Sequence, residues 1–292
     1  MKIAIYGRLT QDNLSGHIQV LFQKLAEHQA EILVHEPFLN FLKQTLTLPD
    51  SVKTFKNDTD LSGKIDFMLS LGGDGTFLET LTYVRSSGIP ILGINTGRLG
   101  FLANVAKTEI SEAIDALANK KFSIDTRALL SVHTSTGLFG DLNYGMNELT
   151  VLKKDSSAMV TIHAYINGDY LNSYFADGLI ISTPTGSTAY SLSCGGPLVM
   201  PGSENFVITP IAPHNLNVRP LVISDNNKIT LKVEGRSENY LVTLDTRSET
   251  IDSSIELTVK KASFNVNLIK LENQSFFNTI RNKLLWGLDK RN

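Results

Sequence analysis

Apolar positions in the first 121 residues switch between two periods. A run over Ile3–Gly7 reads as a buried strand; Ile18, Leu21, Phe22 and Leu25 then recur at i, i+3, i+4 and i+7, one face of a helix. Glu31–Glu36 and Asp66–Leu71 read as a second and a third strand. Leu81 and Val84 continue a helix begun near Thr76, and Pro90–Ile94 reads as a fourth strand. Thr108 stands where an N-cap belongs for a helix over Ile110, Ile114 and Leu117. Strands alternating with helices predict a parallel sheet covered on both faces.

From about residue 122 the period shortens. Leu129–Val132, Val160–Ile166, Leu179–Ser182, Phe206–Ile208, Ile229–Val233, Tyr240–Leu244 and Ile255–Val259 are short, often β-branched runs. Asn167-Gly168 between two of them predicts a tight hairpin. Helical spacing returns only at Phe276, Phe277, Ile280, Leu284 and Leu288, where Phe276, Phe277 and Trp286 read as buried contacts. The expected fold is α/β plus all-β: a parallel-sheet α/β domain over 1–121, an all-β domain over 122–271, and a last helix in 272–292 returning to the first domain.

Of the 292 residues 42% are hydrophobic and 19% charged, which provides for a core and excludes a disordered chain. A net charge of -2 argues against a nucleic-acid or anionic-membrane partner. Cys194 is the only cysteine, so neither an intrachain disulfide nor a cysteine zinc site can form. Its place beside two glycines, with no adjacent histidine, reads as packing. The six histidines are scattered and no histidine metal site is expected; His214 reads as a solvated or capping residue, or as the border of a pocket. Residues 1–7 are too short an apolar run for a signal segment or a membrane span, so the expected location is cytoplasmic.

Two segments carry candidate chemistry. Gly72-Gly73-Asp74-Gly75-Thr76 follows a buried strand and opens a helix, where open α/β sheets bind ligands. The glycines let backbone approach a phosphate, and Asp74 is the one charge among them. A carboxylate there suits a cation or a hydroxyl proton; the bland reading is a tight turn with a capping Asp. Neither the P-loop nor the G-x-G-x-x-G pattern is present. The second segment runs Asp177-Gly178-Leu179-Ile180-Ile181-Ser182-Thr183-Pro184-Thr185-Gly186-Ser187-Thr188-Ala189-Tyr190, then Ser191, Ser193 and Gly195-Gly196-Pro197. Its hydroxyls and Tyr190 suit a polyhydroxylated ligand with a flat ring; a plain hydroxyl-rich loop is the alternative.

Together with Asn95-Thr96-Gly97-Arg98-Leu99-Gly100-Phe101 and Asn147-Glu148, these segments resemble the NAD kinase family in order and spacing over nearly the whole chain. The glycine-aspartate turn alone is shared with phosphofructokinases and with diacylglycerol and sphingosine kinases. The stretch from Asp177 to Tyr190 is the more specific part. The resemblance implies a β-sandwich-like second domain, NAD in a cleft between the domains, and transfer of the γ-phosphoryl group of ATP to the adenosine-ribose 2′-hydroxyl.

It further implies that Asp74 is the catalytic base, within a turn whose Gly73, Gly75 and Thr76 bind substrate. Asn147, Thr185, Thr188 and Ala189 would hold adenine, with Phe101 lining that pocket; Glu148 would bind the other ribose, and Asp177, Tyr190 and Ser193 the nicotinamide side. Mg²⁺ or Mn²⁺ would be required, with no dedicated protein metal site, and the assembly would be a homodimer or homotetramer. The chain departs from the family at Gly7-Arg8-Leu9-Thr10, which lacks the usual asparagine and proline. It departs again at Asp245-Thr246-Arg247, where the family has Asp-Gly-Gln and where only Asp245 is carried over as a binding residue. Arg98 and Arg247 each read as a phosphate contact or as a solvated charge. Two other readings stand beside this one: a lipid or sugar kinase sharing the turn, and a non-catalytic dinucleotide-binding regulator.

Overall fold

The structure is a computed structural model that describes residues 1–8, 15–97, 100–154, 159–236, 238–272 and 274–286. The chain forms two compact units, Met1–Thr126 with Val266–Asn292, and Arg127–Asn265.

The first unit begins with β1 (Lys2–Gly7), α1 (Ser15–Glu27), β2 (Glu31–His35), α2 (Glu36–Leu42), β3 (Lys53–Phe55) and β4 (Phe67–Leu71). It continues with α3 (Asp74–Val84), β5 (Ile91–Asn95), β6 (Val105–Ala106) and α4 (Ile110–Ala118). The strands are parallel, in the order β5-β4-β1-β2-β3, with β6 beside β5. Alternate residues take opposite faces. Ile3, Ile5, Leu69 and Leu71 pack with Leu21, Leu25, Ile114 and Leu117 of α1 and α4. On the other face Thr80 of α3 donates to Ser70 at 2.9 Å.

The chain winds outward from β1 through β2 and β3, then returns to β4 on β1's other side. Strand order thus reverses between β1 and β4, and in open sheets ligands bind outside the carboxyl ends of strands at such a point. The end of β4 leads directly into Gly72-Gly73-Asp74.

Two local expectations are corrected here. Thr108 does not cap α4: Lys107–Glu109 is a 3₁₀ turn, the cap is Glu109, and its carboxylate accepts the Ala106 N–H at 2.9 Å. Phe277 and Trp286 are 58% and 56% exposed, because α6 (Phe276–Leu284) fully buries only Ile280. Leu288 lies outside the described residues.

The second unit is antiparallel. It comprises β7 (Phe122–His133), β8 (Tyr144–Gly145), β9 (Glu148–Lys153), β10 (Val160–Ile166), β11 (Asp169–Ala176), β12 (Gly178–Ser182) and the single turn α5 (Tyr190–Ser193). Then follow β13 (Asn205–Ile211), β14 (Leu221–Ser224), β15 (Ile229–Glu234), β16 (Tyr240–Leu244), β17 (Arg247–Ile251) and β18 (Leu257–Leu271). One sheet runs β11-β10-β15-β18 with β7 and β8 beyond, the other β14-β13-β12-β9-β16-β17. Val160, Ile162, Leu231 and Val259 of the first meet Leu149, Val151, Leu179 and Ile181 of the second in one apolar core, a sandwich as expected. The β10–β11 hairpin turns at Asn167 (φ 54°) and Gly168 (φ 94°), the two positive φ values of a type I′ turn. The last residues of β18 belong to the first unit, where Leu268 lies beside Ile91 of β5, and α6 follows them there.

Candidate functional site

In the first unit the glycines of the turn do different jobs. A Cβ on Gly72 would strike the side chain of Thr76, so that close approach needs glycine; Cβ atoms on Gly73 or Gly75 would meet nothing within 4 Å. Gly73 is the N-cap of α3 and makes no side-chain cap bond, which leaves the helix start bare. Thr76 is buried against Gly72 rather than turned outward.

Asp74 does not cap its helix. Its carboxylate reaches across to the loop after β5, where Oδ2 accepts the Phe101 N–H at 2.8 Å and Oδ1 accepts those of Leu102 and Ala103, each at 3.0 Å. Gly100 lies so close that a Cβ there would collide with the carboxylate. A carboxylate offers about four acceptor positions. Three are filled, and among the described residues the fourth, on Oδ2, is open to a donor. Phe101 is half-buried. Arg98 lies outside the described residues.

Nearby in the same unit Tyr6 donates to Glu79 at 3.0 Å, and Arg8 pairs with Glu79 at 3.2 Å. Burial, reinforced by Glu79, pushes the Tyr6 hydroxyl well above its ordinary range.

In the second unit the segment after β12 is a 3₁₀ turn, Gly186–Thr188, followed by α5. It lies on the start of β9: Thr183 donates its hydroxyl to Met146 O at 2.5 Å and its N–H to Asn147 O at 2.9 Å. A Cβ on Gly186 would fall on the Asn147 carbonyl. Most of the hydroxyls are bonded internally. Ser187 donates to Pro184 O and accepts the Val199 N–H, Thr188 donates to Thr185 O, and Ser191 bonds Thr209. Thr185, buried, accepts from Arg127 at 3.1 Å. The expectation that these hydroxyls face a ligand is therefore corrected for Ser187 and Ser191, which are fully buried in the turn itself.

Ala189 is half-buried, Tyr190 is 40% exposed and Ser193 is exposed. Asp177 pairs with Lys153 at 2.5 Å.

Asn147 and Glu148 are fixed from below by the β16–β17 hairpin. The Asp245 carboxylate accepts the N–H groups of Met146, Asn147 and Glu148 at 2.7, 2.8 and 3.2 Å. Two residues on, Arg247 donates to the carbonyls of Leu142 and Tyr144 and lies over the Tyr144 ring. Neither reading of Arg247 as a phosphate contact or a solvated charge describes that arrangement: its guanidinium is bound to main chain. Burial pushes the Glu148 carboxyl up to about 8, with repulsion from Asp245 adding to it. Burial raises Asp245 as well, opposed by its three N–H donors and by Arg247. Among the described residues no group of three or more His, Cys, Asp or Glu side chains could hold a metal, and no helix is long and apolar enough to cross a membrane.

Comparison with known proteins fits both halves. The chain matches the ATP-NAD kinase N-terminal domain over residues 15–122 and the ATP-NAD kinase C-terminal domain over residues 146–271. It is 49% identical to an NAD kinase of Cytophaga hutchinsonii over 293 residues and 50% identical to one of Flavobacterium psychrophilum over 294, with both chains covered completely in each case. The chain belongs to the NAD kinase family.

Among solved structures it is similar to an NAD kinase from Archaeoglobus fulgidus in complex with ATP, with a TM-score of 0.75, 26% identity, and coverage of 98% of this chain and 99% of that one. Yeast NADH kinase complexed with NADH shares the fold at a TM-score of 0.89 and 21% identity, covering 98% and 88%. Within this NAD kinase framework the Phe101–Ala103 amides and Arg127 carry no motif. Ser182 lies inside the quoted hydroxyl-rich segment, but its place opposite Glu148 shows only in the strand register. A charged residue two positions after Asp245, in a hairpin turn, is the one signal that could have pointed to the clamp under Asn147.

Proposed function

We propose that this chain phosphorylates NAD to NADP, moving the γ-phosphoryl group of ATP to the 2′-hydroxyl of the adenosine ribose. Asp74 supports the reading most: a carboxylate held by three backbone amides at the switch point of a parallel sheet, with one acceptor position open. In that position it receives the hydroxyl proton as the oxygen attacks phosphorus in line. A loose transition state asks little of the base, so orientation of the carboxylate matters more than its strength. The bare amides around Gly73 and Gly75, with Thr76 and Arg98, serve the phosphoryl-transfer turn. Asn147, Thr185, Thr188 and Ala189 hold the adenine end of the dinucleotide, with Phe101 lining that pocket. Glu148 takes the second ribose, Asp177, Tyr190 and Ser193 take the nicotinamide side, and Asp245 acts from beneath through the main chain.

The reaction needs Mg²⁺ or another divalent cation, and the described residues offer it no protein cage. The cation belongs with the nucleotide phosphates, as Mg²⁺ does when it keeps few protein ligands. We place the enzyme in the cytoplasm as a homodimer or homotetramer, on the strength of the family resemblance.

The test couples product to an NADP-specific dehydrogenase in the presence of ATP, Mg²⁺ and NAD. Wild-type protein yields NADP, and Asp74→Asn lowers kcat by about 10²–10⁴-fold, the usual share of a general base, while still binding NADH. Near wild-type kcat in the variant removes Asp74 from the role of base. NADH binding without turnover by the wild type establishes the regulator instead.

A further inference from the structure

The second sheet of the 127–265 unit has two unlike faces. Leu149, Val151, Leu179 and Ile181 turn into the sandwich core. The alternating positions on the same two strands, Glu148 and Thr150 on β9 and Ile180 and Ser182 on β12, turn the other way. Glu148 and Ser182 are register partners, so their side chains are neighbours on that face, with Cβ atoms about 4.5–5.5 Å apart. Both carry a buried polar atom with no hydrogen-bond partner, Glu148 Oε2 and Ser182 Oγ, and Ser182 has no exposed surface at all. Both atoms are closed to solvent, so a negative charge on Glu148 would meet no donor at Oε2, from water or from the described residues.

The charges around Glu148 come from few directions. From the β16–β17 hairpin Asp245 faces it, its carboxylate on three N–H groups and opposed by Arg247, whose guanidinium is committed to Leu142 and Tyr144. From the C-terminal cap of α5 the Cys194 thiol, hydrogen-bonded with Tyr190, feels Glu148. Ser182 of β12 and the residues from Thr183 to Thr188 carry no charge, and no ion pair reaches Glu148 among the described residues. Of two adjacent carboxyls, the one with three donors keeps the negative charge and the one without takes the proton.

We propose that Glu148 meets the dinucleotide as an uncharged acid that donates a hydrogen bond to a ligand oxygen, and that Asp245 is the positioning residue that pins its main chain and keeps it uncharged. This rests on the reading of NAD as ligand. The elevation of Glu148 to about 8, by burial first and Asp245 second, accords with it. An uncharged donor also spares a ligand with an anionic diphosphate the repulsion of a carboxylate.

The probe is NADH, titrated by its fluorescence into the full chain from pH 6.5 to 9.5. Wild-type Kd holds level up to about pH 8 and then rises about tenfold per pH unit, as a single required proton dictates. Glu148→Gln, which cannot ionise, gives a Kd independent of pH and binds more tightly than wild type at pH 9.5, a gain that structural damage cannot produce. Asp245→Asn moves the break to lower pH. A level wild-type Kd, or a Gln variant that follows the wild-type curve, overturns the proposal.

If wild type binds no NADH at any pH, the proposed function fails, and thermal unfolding decides this inference alone. The unfolded chain ionises Glu148 in the ordinary carboxylate range while the folded chain holds the proton to about pH 8. The unfolded state therefore binds fewer protons between those limits, and wild-type stability falls as pH rises through them. The Tm of Glu148→Gln minus that of wild type then grows from pH 5 to about 8 and levels beyond; a difference that stays flat overturns the proposal.

Discussion

Two turns rich in small residues, 72–76 in the first unit and 183–196 in the second, use that smallness differently. In the first, glycine is required only where side chains press on backbone, at Gly72 against Thr76 and, in the neighbouring loop, at Gly100 against Asp74. Gly73 and Gly75 border open space, and the side chain that matters is held from another loop. In the second, the hydroxyls close the turn on itself, Gly186 lets it lie flat on Asn147, and Gly196 lets its end fold back against Ser191. The first turn is an open cradle around one fixed carboxylate, the second a closed platform. In the proposed function its ligand chemistry comes from what it lies on, Asn147 and Glu148, more than from its own hydroxyls.

That contrast can be broken by substitution. The largest effect belongs to Gly100→Ala, whose methyl occupies the space of the Asp74 carboxylate: kcat falls by about 10²-fold, the scale of an ångström-sized misplacement, and Tm falls as the Phe101, Leu102 and Ala103 amides lose their acceptor. Unchanged kcat would show that the carboxylate's orientation is not needed. Gly186→Ala strikes the platform instead. Its methyl meets main chain that cannot swing aside, and thermal unfolding should register a loss of about 3 kcal/mol. Ser187→Ala leaves the Val199 N–H without its partner and costs about 2 kcal/mol in the same measurement. Gly75→Ala has the smallest effect on folding, a gain of up to about 1 kcal/mol from helix propensity in α3. The KM for ATP should nonetheless rise, because a methyl then stands where phosphate approaches. An unaltered KM would place the phosphates elsewhere.

How far these features are legible in the sequence depends on what makes them. β1, β4 and β12 announce themselves as nearly continuous apolar runs because both their faces are covered. Asn167-Gly168 does so because few residues tolerate two positive φ values in succession. α2 stays hidden: it is seven residues long, opens on Pro37 and buries only Phe38, Leu39 and Leu42. β3 is three residues, two of them exposed. The full length of β18 is hidden because its middle, Lys260–Asn265, buries no residue fully and is mostly polar.

At the site Asp74 stands out as the lone charge among glycines, but the amides that hold it have no side-chain signature. Thr183 to Ser193 look alike on paper, and only the hydrogen bonds separate those that build the turn from those at its surface. The importance of Ser182 follows from register, which period-2 alternation constrains and a single strand read alone does not reveal.

The account turns on which acceptor receives the phosphoryl group. ATP labelled in its γ-phosphate, offered with Mg²⁺ and a mixture of NAD, a diacylglycerol and a hexose, should place the label in NADP, on the 2′-oxygen of the adenosine ribose, and nowhere else. Label in the lipid or the sugar, with NAD unmodified, would contradict it.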